Sequence, residues 1–152
     1  MGDFRRRIKL MSGILTTAIG SWGADNVVVS ITNQTVSKST FGTDAYARYQ
    51  LDTDGKVYKF EGTTAGTPTT FIENWVEPNS EANNYECFAT LDSGSLQTGT
   101  TGSWLALTSD RMWGVADTGG GTQAASLTIT IRKTGTTTNL TSATITLFAS
   151  QS

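Results

Sequence analysis

The chain contains no histidine and a single cysteine. The first absence removes the commonest general base, every histidine-containing triad and the most frequent transition-metal ligand. The second leaves Cys87 without an internal disulfide partner, so cysteine usage does not point to an oxidising compartment. Charged residues make up only 16% of the 152, and the net charge of −2 argues against a nucleic-acid partner for the body of the protein. No apolar run approaches the roughly 18 residues that a membrane span needs, so no membrane partner is expected. Good helix formers are scarce in any run. What is abundant is threonine, 28 residues, together with 16 glycines. Threonine's branched β-carbon suits a pleated strand and its hydroxyl suits solvent or turns, so the composition reads as β-sheet.

The length fits one domain with a core. Within it the charge is uneven: Arg5, Arg6, Arg7 and Lys9 stand against Asp3 in residues 1–12, a local +3, leaving −5 for the rest. The basic run and Ile8, Leu10, Met11, Ile14 and Leu15 have the outline of a secretory leader, but Ser12, Gly13, Thr16 and Thr17 interrupt the apolar part, which argues against one. Residues 1–25 lack a clear period and read as an extended N-terminal arm, with residues 26–152 as the folded domain. Phe4, Ile8 and Leu10 interleave apolar groups with Arg5, Arg6, Arg7 and Lys9. An arm that orders by docking on an acidic partner fits both properties.

From Asn26 the pattern alternates, with Val27, Val29 and Ile31 on one face. Residues 45–51 and 56–61 alternate on either side of Asp52-Thr53-Asp54-Gly55, the signature of a hairpin. A Gly/Thr/Pro loop leads to a short strand with Phe71, Ile72, Trp75 and Val76, stopped by Pro78. Tyr85, Cys87, Ala89 and Leu91 alternate again. Short apolar stretches follow at 104–107 and 112–115, then strands through Leu127, Ile129 and Ile131 and through Ala143, Ile145 and Leu147, which form a hairpin about the turn at 134–139. Short strands at this spacing, with no helical pattern between them, predict an all-β sandwich or small barrel and exclude a parallel βαβ sheet.

Several constellations invite chemistry. Gln50, Asp52, Asp54, Gly55 and Glu61 fall at positions of an EF-hand loop, but that loop needs a helix on each side and these flanks alternate like strands, so a β-turn with solvated carboxylates is the better account and no metal is expected. Glu73 and Glu77 flank Trp75 as a glycoside-hydrolysing pair would, yet two acids at one strand end do not make a cleft; no catalytic residue and no cofactor is expected. Asn33 and Asn139 begin glycosylation acceptor triplets that chance supplies in a threonine-rich chain. Trp104 and Trp113 lie in apolar stretches and are expected to be buried. Trp22, Tyr46 and Tyr58 are the freer candidates for contact with a glycan, and Trp75 is a further one, set against the favoured reading that it packs in the sandwich.

The order of segments over residues 45–149 resembles small accessory virion proteins of tailed bacteriophages, of the tail-fibre and minor-tail type. The likeness runs through Ala45-Tyr46-Ala47-Arg48-Tyr49, Asp54-Gly55-Lys56-Val57-Tyr58, Trp75, Tyr85-Glu86, Ala89-Thr90, Ser93-Gly94-Ser95-Leu96 and Gly99-Thr100-Thr101-Gly102-Ser103-Trp104-Leu105-Ala106-Leu107. It continues through Arg111, Trp113, Leu127-Thr128-Ile129-Thr130-Ile131-Arg132 and Ala143-Thr144-Ile145-Thr146-Leu147. The resemblance implies an immunoglobulin-like antiparallel β-sandwich, a non-enzymatic role in the virion and, through Phe4-Arg5-Arg6-Arg7, an anchoring arm. It further implies other virion proteins as partners, a homo-oligomer such as a trimer, and a host-surface glycan as a ligand. A capsid decoration or head-fibre protein is the alternative within that class, and a carbohydrate-binding module the alternative outside it.

Overall fold

The computed structural model describes residues 26–63 and 69–152. The expected arm over 1–25, its docking residues Phe4, Arg5, Arg6, Arg7, Ile8, Lys9 and Leu10, and Trp22 lie outside the described residues. Eleven strands are present among the described residues: β1 Val28–Val29, β2 Gln34–Thr40, β3 Ala45–Leu51, β4 Lys56–Gly62, β5 Thr70–Asn74, β6 Val76–Glu77, β7 Tyr85–Gly94, β8 Trp104–Ala106, β9 Arg111–Asp117, β10 Gly121–Lys133 and β11 Asn139–Gln151. They form a five-stranded sheet in the order β2-β11-β10-β7-β8, a four-stranded sheet in the order β5-β4-β3-β9, and a small β1-β6 ladder.

The two main sheets pack face to face, with β11 crossing over β3 and β9, so the chain is an all-β sandwich. The last hairpin, β10-β11 with β7 beside it, matches the F, G and C strands of an immunoglobulin-like sheet, and the β3-β9 pair matches B and E of the opposite sheet. The β4-β5 hairpin widens that second sheet.

Alternation builds the core. On β10, Ala125, Leu127, Ile129 and Ile131 are buried while the intervening Ser and Thr face outward; on β11, Ala143, Ile145, Leu147 and Ala149 do the same. Opposite them lie Tyr49, Leu51, Val57, Trp75 and Trp113. Burying each large aliphatic side chain contributes roughly 1.5–3 kcal/mol.

The pairings between the strands are antiparallel as expected except at one edge, where β2 runs parallel to β11, from Gln34 opposite Ile145 to Thr40 opposite Gln151; two other expectations are corrected. Parallel neighbours need a long crossover, and here the intervening body of the sandwich supplies it. The strand expected from Asn26 shrinks to β1, which pairs only with β6, although Ile31 is buried and Val28 exposed as the alternation requires. The expected burial of Trp104 also fails: it faces outward on the edge strand β8, partly exposed, against Phe88 at a ring separation of 5.2 Å.

The predicted hairpin is β3-β4. Asp52 accepts the Thr53 N–H at 2.8 Å, and Asp54 and Gly55 carry the positive φ angles, 64° and 72°, that reverse the chain.

Candidate functional site

Because β3 and β4 alternate, burying Ala45, Ala47, Tyr49 and Leu51 turns Tyr46, Arg48 and Gln50 outward. The register sets Arg48 opposite Phe60 and Gln50 opposite Tyr58 on β4, and Tyr58 opposite Phe71 on β5. The outer face of the four-stranded sheet is therefore aromatic. Its centre is Arg48, whose guanidinium carbon lies 5.0 Å from the Tyr46 ring centroid and 5.2 Å from that of Phe60. Tyr58 and Phe71 meet edge to face at 5.6 Å, and Phe71 is 52% exposed.

On the other side of Arg48 the cross-strand position is Gly114 of β9, where an added Cβ would stand 2.8 Å from Arg48 Cγ. Glycine there gives the arginine room to lie along the sheet. The Arg48 Nε is buried without a hydrogen-bond partner, and among the described residues Arg48 has no ion pair. At one end of the face a shallow open depression of about 240 Å³ is lined by Gln50, Leu51, Asp52, Asp110, Arg111 and Met112.

Tyr46 and Tyr58, both expected as contact residues, share this face. Trp75 does not join them, which corrects its place among the glycan contacts: it is fully buried and packs against Tyr49 at 6.2 Å. Its backbone N–H donates to Gly55 O at 2.9 Å, fixing the break between β5 and β6 with the indole inward. Trp113 is buried as expected, its Nε1–H donating to Thr100 O at 2.8 Å.

The two acids beside Trp75 have separate local partners. Glu73 accepts both the N–H and the hydroxyl of Thr32, at 3.0 and 2.8 Å, whereas Glu77 takes only a long contact of 3.4 Å from Asn74 Nδ2. The carboxylates of the hairpin also diverge: Asp52 caps the turn, and Glu61 accepts the Ser37 N–H at 2.9 Å and pairs with Lys59 at 3.4 Å. Both flanks of that turn are strands, and no cluster of three metal-ligating acids or thiols occurs among the described residues. Asn33 Oδ1 accepts the Thr144 N–H at 2.9 Å, tying the start of β2 to β11.

Arg48, Phe60 and Phe71 were not singled out from the sequence as site residues. The alternation that marks the hairpin also puts Arg48 and Phe60 on the Tyr46–Tyr58 face, so that signal was present. In chemical terms the face offers aromatic area and a positive charge set against two rings. No family model, no curated protein and no solved structure matches the chain.

Proposed function

We propose that this protein is a non-enzymatic structural component of a tailed-phage particle, anchored through residues 4–10 and contacting a protein neighbour through the outer face of its four-stranded sheet. The observation that carries the contact is Arg48 lying between Tyr46 and Phe60, beside Tyr58 and Phe71. Tyrosine, phenylalanine and arginine are the types enriched where interfaces concentrate their binding energy. The virion assignment rests on the order of segments described above. A tail or fibre fitting is the preferred position, a capsid decoration or head fibre the alternative, and repeated copies such as a trimer follow from particle symmetry.

Immuno-electron microscopy of phage particles with an antibody to this chain tests the reading. Label on the tail or fibres supports it, label over the head selects the alternative, and no label on intact particles sinks it. Deleting residues 2–12 is expected to abolish incorporation while leaving the β spectrum intact.

A glycan-binding module is the second reading, favoured by the half-exposed Phe71 beside Tyr58. Its test is a glycan array followed by calorimetry. Among the described residues no tryptophan reports on this face, because Trp75 and Trp113 are buried and Trp104 lies on the other sheet.

A further inference from the structure

Two arginines stand on the outer faces of the two sheets in similar settings, and only one is complete. Arg132 on β10 has its guanidinium carbon 3.6 Å from the Trp104 ring centroid, and its Nε donates to Glu86 Oε2 at 2.7 Å. Glu86 is its cross-strand neighbour on β7, so aromatic face and carboxylate are both supplied within the sheet. Arg48 has two aromatic faces but no carboxylate: its cross-strand neighbours are Phe60 and Gly114, and its Nε has no partner. The paired positions next to it, Gln50, Tyr58, Phe71 and Met112, include no acid, in a chain whose net charge is −2.

We propose that this face receives a different protein that presents an Asp or Glu among apolar side chains, the acid supplying to the outer nitrogens of the Arg48 guanidinium the counter-charge that Glu86 supplies to Arg132. The proposal rests on reading the face as a docking surface and adds the chemistry of the partner. Guanidinium and carboxylate form a planar, charge-assisted pair, which is strengthened when neighbouring apolar contacts exclude water. A second copy docking through the same face would set one Arg48 against another. A neutral glycan would leave the guanidinium unpaired and find the Tyr46 and Phe60 rings already engaged by it.

The test is selection of displayed random peptides on the full-length chain, followed by calorimetry of the selected synthetic peptides with wild type, Arg48→Met, Arg48→Lys, Tyr58→Ala, Phe71→Ala and Arg132→Met, each checked for a native β spectrum. The expected peptides are rich in Asp or Glu beside apolar residues and bind less tightly as salt is raised. Arg48→Met is expected to weaken them about tenfold or more, Arg48→Lys less, and Arg132→Met not at all. Peptides without acids, a library that yields no binder, or equal binding to Arg48→Met overturns the acidic partner. If Tyr58→Ala and Phe71→Ala also leave every selected peptide unaffected, the docking reading of the face falls too. Concentration-dependent self-association that Arg48→Met abolishes would identify a second copy and overturn the separate partner.

Discussion

Tyr49 lies between the two buried indoles, its ring centroid 6.2 Å from that of Trp75 and 6.4 Å from that of Trp113. The packing uses the ring; the phenol oxygen and Trp75 Nε1 lie near enough to interact, but neither makes a hydrogen bond of ordinary geometry. A buried hydroxyl whose contact is too poor to replace its water is left largely unmet. Tyr49→Phe keeps the ring and removes that unmet group. It is therefore expected to leave stability unchanged or raise it by about 1 kcal/mol, read from the urea midpoint. A loss of similar size would mean that the hydroxyl is bonded in the folded protein. Arg48 is the counterpart at the surface: its Nε is buried without an acceptor, so an incoming carboxylate can meet only the outer nitrogens of the guanidinium.

Among the elements, segment 30–33, which joins β1 to β2, is held by Glu73 through its two bonds to Thr32. Glu73→Ala is expected to cost about 1–2 kcal/mol in urea unfolding, because a charge-assisted clasp is lost, while Glu77→Ala should shift it by less than about 0.5. Equal losses would show that the clasp is not the cause. The β3-β4 and β10-β11 hairpins were legible in the sequence because a period of two meets an unambiguous turn in each. By contrast, β2 was hidden: Gln34–Thr40 has Val36 as its one buried residue, too little pattern for an edge strand that acquires meaning only beside β11. Likewise Tyr46 and Tyr58 could be read as surface residues, but the setting of Arg48 depends on Gly114, which a distant strand brings alongside. Trp75 packs in the sandwich, the reading that the sequence favoured, and its alternative place among the glycan contacts fails for a related reason. The register shift between Val57 and Tyr58 changes which β5 residues face inward, and alternation within one strand does not reveal it.

At the scale of the whole molecule, the groups buried in the core set the response to pH. Without histidine, no imidazole ionises between about pH 5 and 8. Burial pushes the Cys87 thiol from its ordinary value near 9 up to about 12, with Arg111 opposing the shift and Glu86 adding to it. Burial likewise raises the Tyr49 phenol above its ordinary 10, helped by Glu73, and raises Tyr85, helped by Glu81. Each is an acid whose neutral form is favoured by folding. The unfolded chain therefore releases these protons first, and the stability they contribute is complete below pH 9 and declines as pH rises from about 9 toward 12. The urea midpoint of the wild type is expected to fall across that window. In Cys87→Ala the component that begins near 9 disappears, leaving the decline that the tyrosines start near 10. The change with pH is the readout, since the lost sulfur also shifts the absolute stability through packing. A decline identical in both proteins would show that the thiol takes no part in it. A native thiol that reacts with maleimide at neutral pH as fast as an unfolded one would show that Cys87 is not sealed between the sheets.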